Sequence, residues 1–172
     1  MIPVDQLFQQ RGGASGTLES PLDHLVACHR RIEARLAALE RVAAQWNSDP
    51  RGALDTAASC FRFLDTSGAL HTRDEEESIF PRLRPWINQF ELCFLDKLEH
   101  EHADADQTYL ELKSAVQARD GARYRPLVNK LCEMYRSHIA SEDALLIEMG
   151  KRVLTPPELA GISAEMKLRR GL

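Results

Sequence analysis

The run "LHTRDEEESIFPRL", Leu70 to Leu83, sets His71 and Glu75 four residues apart inside an apolar helical period. Residues four apart lie on one face of an α-helix, one turn from each other, so an imidazole nitrogen and a carboxylate oxygen can aim at the same point. The same step recurs in three further segments: His29 with Glu33, His102 with Asp106, and His138 with Glu142. Four helices carrying such pairs could surround one or two ions with nitrogen and oxygen donors.

The apolar period supplies those helices. Leu22, Leu25, His29, Ile32, Leu36, Leu39, Ala43 and Trp46 step by threes and fours, one buried stripe with His29 inside it. A second helix opens at Asp49 and Pro50 and follows Leu54, Ala57, Phe61, Leu64, Gly68, His71, Glu75 and Ser78; Pro81 and Pro85 predict its end near Phe80. Ser67 and Gly68 can kink it or make room for a ligand. The third opens around Trp86 and follows Leu95, Leu98, His102, Ala105, Tyr109, Leu112 and Val116. That register puts His102 inside and His100, with Asp96, Asp104 and Glu111, on a solvated face. The fourth is expected from Pro126 through Leu127, Leu131, Met134, His138, Ser141 and Leu145, with Glu142 flanking the seam. His24, five residues before His29, falls roughly 140° around the first helix and reads as peripheral.

Short turns at 47–50, 82–86 and 120–125 make consecutive helices antiparallel neighbours. The fold expected is all-α, an up-down-up-down four-helix bundle over 18–153. An irregular arm over 1–17 precedes it. A short C-terminal helix over 154–172 follows, opened by a capping box at Thr155 and Glu158 and packed on the bundle. Counting outward from the turns at about 1.5 Å per residue brings all four pairs into one middle layer.

At 172 residues, 44% hydrophobic and 28% charged, the chain has the composition of one ordinary globular domain. A net charge of −4 with interspersed signs offers no basic stripe for nucleic acid. No run of about 18 apolar residues and no leader pattern occurs, so a cytoplasmic protein without membrane contact is expected. Cys28, Cys60, Cys93 and Cys132 form no Cys-x2-Cys pair and read as reduced, buried side chains.

One histidine on an apolar stripe is ordinary packing. Four at core positions in one layer, each with a carboxylate, are costly to bury unless something compensates them, and metal coordination does so. A buried hydrogen-bond network is the competing reading. Imidazole and carboxylate without thiolate suit iron, manganese or zinc, and eight potential donors exceed a tetrahedral zinc centre. Two octahedral ions fit better, with Glu75 and Glu142 able to bridge them.

The strings "CHRRIEARL", "LHTRDEEESIFPRL", "EHADAD" and "YRSHIASEDALL" together resemble the hemerythrin-like family, also called the HHE cation-binding domain, over about residues 20 to 150. The resemblance implies a non-haem centre of two iron ions held by His29, His71, Glu75, His102, His138 and Glu142, with manganese or zinc ranked behind iron. Glu33 and Asp106 stand as additional ligands or as hydrogen-bond partners of ligand histidines. The chain departs from the oxygen-carrying members at two places. Asp106 stands where they have a second histidine, and their last motif spaces histidine and aspartate by five residues where His138 and Glu142 are four apart. If Glu33 and Asp106 bind metal, sensing or redox chemistry gains over reversible carriage.

The function expected is therefore a di-iron module that binds or senses oxygen, nitric oxide or peroxide. The alternative is an oxidoreductase that reduces peroxide or nitric oxide, or donates iron for repair, with Tyr109 and Tyr135 as relays. Trp46 and Tyr109 read first as core packing and second as a water-excluding wall of the site. A ferritin-like carboxylate bundle ranks third, since only Glu99 and His102 fit its Glu-x2-His motif. A structural zinc bundle ranks fourth.

Overall fold

A computed structural model describes residues 17–172, so most of the expected N-terminal arm lies outside the described residues. Helix α1 is Pro21–Gln45. Helix α2 is composite, passing from Pro50–Phe63 through a π turn at Leu64–Gly68, an α segment Ala69–Asp74, a second π turn at Glu75–Ile79 and a last turn Phe80–Leu83. Helix α3 is Gln89–Gln117. Helix α4 runs Gly121–Ser141, a π turn at Glu142–Leu146, then Ile147–Val153. Helix α5 is Pro156–Arg169. No strand occurs among the described residues, and no helix among them is long and apolar enough to cross a membrane.

Each of the first four helices packs on its two neighbours in the ring α1–α2–α3–α4, and the short connections between them make the bundle antiparallel. The apolar core is split in two. One cluster, with Ile32, Leu36, Leu39, Phe61, Leu112, Tyr124 and Leu131, fills the end near the α1–α2 and α3–α4 turns. The other, with Leu25, Ile79, Phe80, Leu98, Leu146 and Met149, fills the opposite end, where Ile162 and Met166 dock α5. Between the two lies the polar layer described below.

Element ends differ from the sequence expectation where side chains outweigh proline. Helix α2 passes Phe80 because the π turn comes first: the Phe80 N–H reaches back five residues to the Glu75 carbonyl, and Pro81 falls in the opening turn of the next segment, where its missing N–H is tolerated. Helix α3 starts at Gln89 rather than Trp86, since Asn88 and Glu91 form a reciprocal capping box at 3.1 and 3.0 Å; Trp86 is left exposed. Helix α4 starts five residues before Pro126. The Asp120 carboxylate caps it by accepting from the Arg123 N–H at 3.0 Å, while Tyr124 and Arg125 donate to the Leu39 and Ala43 carbonyls of α1.

Trp46 stacks on Tyr124 at 4.8 Å at this end of the bundle, so it belongs to the core there and not to the wall of the polar layer. A Cβ on Gly121 would lie 2.4 Å from Trp46 Nε1. Gly121→Ala is therefore expected to destabilise by about 1–3 kcal/mol through overpacking, read as a lower melting temperature with unchanged metal content.

Candidate metal centre

Helix α1 brings His29 to the middle layer, α2 brings His71 and Glu75, α3 brings His102, and α4 brings His138 and Glu142. Five of these six are classed as buried, and His102 is nearly so. Their donor atoms form two groups sharing both glutamates: His29, His71, Glu75 and Glu142 on one side, Glu75, His102, His138 and Glu142 on the other.

The two oxygens of each glutamate face opposite ways. Glu75 Oε1 lies 3.3 Å from His71 Nε2 and 3.9 Å from His29 Nε2, and Oε2 lies 3.5 Å from His102 Nε2. Glu142 Oε2 lies 3.2 Å from His29 Nε2, and Oε1 lies 3.1 Å from His138 Nε2. Each group thus offers two imidazole nitrogens and one oxygen from each carboxylate. Donors about 2.0–2.2 Å from a shared ion sit about 3 Å apart when adjacent, which most of these spacings approach.

Both glutamates open π turns. The Glu75 carbonyl accepts from Phe80 and the Glu142 carbonyl from Ile147, each five residues on. A π turn adds one residue to a turn and rotates everything after it by about 100° relative to an unbroken α-helix. Glu142 is fully buried rather than flanking the seam, and the rotation acts on the residues after it. The stripe continues through Leu146 and Ile147, and Leu145, expected inside, is exposed.

A ring of carboxylates holds three of the imidazoles from behind. Glu76 of α2 lies 2.7 Å from His102 Nδ1, Glu101 of α3 lies 2.9 Å from His138 Nδ1, and Asp143 of α4 lies 2.7 Å from His29 Nδ1. A carboxylate accepts only, so each Nδ1 donates and each Nε2 is left facing the centre. The sequence reading missed all three. Their signal was adjacency, since each is an acidic residue directly beside a candidate ligand. Asp143 also has the five-residue spacing from His138, yet its carboxylate turns to His29 and Glu142 takes the central place.

Glu33 and Asp106 belong to neither group. Glu33 pairs with Arg30 at 2.9 Å on the surface. Asp106 is exposed and lines a small cavity with Thr72, Glu101, His102, Ala105, Met134, Tyr135 and His138. Tyr109 is turned away, its hydroxyl donating to the Phe61 carbonyl and to Asp65 of α2. His100 is exposed, with Nδ1 at the Asp96 carbonyl. His24 is buried beside Cys28 Sγ at 3.4 Å and takes no part in either group. Cys28, Cys60 and Cys132 are buried as expected, but Cys93 is exposed because it falls off the Leu95, Leu98, Ala105 stripe.

Without an ion, protons compensate the charge. Burial opposes a charge on His29, yet the facing carboxylates of Glu142, 3.2 Å away, and Glu75 outweigh it and lift the imidazole to about 11. His102 is lifted to about 9 against burial by Glu75 and Glu76, and His138 is raised by Glu142. His71, buried and beside the charge on His29, is lowered despite Glu75. Burial resists charge on Glu75, but His71, His102 and His29 hold it well below the usual carboxylate range. Seven buried side-chain atoms lack a hydrogen-bond partner among the described residues, and all belong to His29, His71, Glu75, His138 and Glu142. Unsatisfied donors and acceptors confined to one layer fit a metal cation.

A search of curated protein sequences gives no match. Residues 20–149 match the model of the hemerythrin HHE cation binding domain, a stretch that reaches into all four bundle helices and includes every residue of the layer, and the chain belongs to that family.

Proposed function

We propose that this metal-binding chain holds two iron ions through His29, His71, Glu75, His102, His138 and Glu142, and binds or senses a small diatomic or peroxide ligand. The observation that carries the two-ion reading is the division of each glutamate, one oxygen to each imidazole pair. Donors of nitrogen and oxygen without thiolate suit iron, with manganese or zinc as lesser alternatives. Bound iron would supply coordination positions for the ligand and a change of oxidation state.

A small cavity beside the layer supports a small ligand. It measures about 20 Å³ and is walled by His102 and His138, with neither His29 nor His71 in its lining. That is space for one or two water-sized molecules, each needing about 10–15 Å³. Oxygen, nitric oxide and peroxide are of that size, and the His102 and His138 side is where they would arrive.

An oxidoreductase is the second reading, favoured by Tyr135 and Asp106 in the cavity wall. A phenol and a carboxylate there can hold or pass a proton beside a reacting ligand. Burial first, then Asp106 and Glu75, push the Tyr135 hydroxyl up to about 12, so it keeps its proton at neutral pH.

Metal analysis of the purified chain is expected to give two irons per chain. Anaerobic reduction is expected to bleach the ferric charge-transfer absorption, and air, nitric oxide or peroxide to change the spectrum again. One zinc, or no metal, sinks the di-iron reading. Sustained peroxide consumption with a reductant, slowed about tenfold or more in Tyr135→Phe, moves the assignment to enzyme.

A further inference from the structure

Helix α5 lies outside residues 20–149, yet it grips the part of α2 from which Glu75 projects. Asp74, the residue before Glu75, is fully buried, and its carboxylate is held by two guanidinium groups, from the last residue of α5 and from the residue that follows it. Arg169 Nη1 donates to Oδ1 at 2.7 Å, and Arg170 donates to Oδ1 and Oδ2 at 3.2 and 2.6 Å. Arg169 also reaches Glu77 at 3.1 Å and donates to Ser78 Oγ. Ser78 Oγ in turn donates to Glu165 of α5 at 2.5 Å. Glu165 is fixed by Arg82 at 2.7 and 3.1 Å, and Arg82 donates as well to the Ser78 carbonyl at 2.8 Å.

Asp74, Glu77 and Ser78 bracket and occupy the Glu75–Ile79 π turn, so the network holds the second of the two stretches of α2 whose register is irregular, the one that Glu75 opens. A π turn gives poorer backbone hydrogen-bond geometry than the α-helix it interrupts and persists where tertiary contacts hold it. Its register decides where Glu75 points. Moving Glu75 by one residue of helix would carry its carboxylate about 100° away from both imidazole pairs. The π turn of α4 is tied from the opposite side, since Asp143 within it accepts from His29 and Arg30 of α1.

We propose that Arg169 and Arg170, acting through buried Asp74, are positioning residues for Glu75, so that this C-terminal helix sets the metal affinity of the bundle centre. The inference rests on the metal-centre reading above. Partners of metal ligands commonly change affinity by 10–100-fold when removed, and Glu75 serves both imidazole pairs, so both positions should weaken together.

The test is cobalt(II) titration of the full chain against a competing chelator, following the cobalt d–d absorption, with circular dichroism to confirm folding at the temperature used. Arg169→Gln with Arg170→Gln is expected to weaken cobalt binding at least tenfold and to alter the d–d bands. Met166→Ala, which removes a buried apolar contact of the same helix, is expected to lower the melting temperature while keeping the wild-type cobalt affinity. If the glutamine pair folds and binds cobalt like wild type, or if Met166→Ala weakens binding equally, the assignment to the guanidinium groups is overturned. Should the glutamine pair not fold, Arg169→Lys with Arg170→Lys keeps the charges but loses the forked geometry. Weakened binding in that folded variant supports the proposal, and wild-type affinity overturns it. A wild-type chain that takes no cobalt sinks the metal-centre reading itself, a separate result.

Discussion

Glu142→Gln is expected to lose both metal positions at once, whereas His102→Ala should weaken mainly one. Glu142 directs Oε2 to His29 and Oε1 to His138, so a neutral amide removes an anionic donor from each group while keeping the volume of the side chain. Loss of a direct donor exceeds the 10–100-fold commonly seen for partners of ligands, so a fall of about 100-fold or more in affinity at both positions is expected. Glu75→Gln should behave alike, because its two oxygens divide the same way. His102 stands in one group only. Metal content after dialysis, measured beside circular dichroism, separates these outcomes. A folded Glu142→Gln chain that keeps two ions would remove Glu142 from the centre. Replacing His100 should leave metal content unchanged, since that ring is exposed and hydrogen-bonded to its own helix.

Much of this arrangement is legible in the sequence because its two dominant signals are local. The stripe Leu22, Leu25, His29, Ile32, Leu36 needs only the helical period, and α1 follows it without interruption. His102 is separated from His100 by the same argument, and the structure buries the first far more than the second. What the period cannot carry is a change of period. Beyond His138 a regular helix would have buried Leu145, but the π turn at Glu142 moves burial to Leu146 and Ile147. The same irregularity lets α2 pass Pro81, where proline rules alone end it.

The partners of the histidines were out of reach for a different reason. Glu33 and Asp106 were candidates because they share a helix face with His29 and His102, yet the structure supplies Nδ1 partners across helices instead. Glu76 serves His102, Glu101 serves His138 and Asp143 serves His29, each reaching one helix further round the bundle. Sequence spacing reports neighbours on one helix. A contact between helices depends on rotation and packing, which spacing alone does not determine. The consequence for function is that Asp106, whose place in the sequence argued against oxygen carriage, stands at the cavity wall and not among the donors. It is better placed to influence what enters than to tune the ions directly.

Metal loading should release protons, and its apparent affinity should climb steeply with pH. In the metal-free chain His29 and His102 are raised to about 11 and about 9, chiefly by Glu142 and Glu75 acting against burial, so both are charged at pH 7. A ligand imidazole must be neutral at the nitrogen that binds, and a cation placed in the centre must displace those protons. About two protons released per fully loaded chain corresponds to a rise of about 100-fold in overall loading constant per pH unit between pH 7 and 8, with a shallower slope as pH approaches the His102 value of about 9.

The metal-free chain should show the opposite trend in stability. A histidine whose folded value lies above its unfolded 6.5 contributes stability that is fully present below 6.5 and is lost as pH rises through the folded value. Glu75, held low by His71, His102 and His29 despite burial, contributes stability above its unfolded 4.5 that is lost as pH falls through its folded value. Metal-free protein should therefore melt lower at pH 9.5 than at pH 6.5, because the losses at His29 and His102 outweigh the gain at His71, whose lowered value favours the folded chain as pH rises. Calorimetric melts across that range with and without zinc, together with indicator-dye measurement of proton release on zinc addition, test both arms. Loading that releases no protons at pH 7, or metal-free stability that rises from pH 6.5 to 9.5, would mean that protonated imidazoles do not balance Glu75 and Glu142 when the ions are absent.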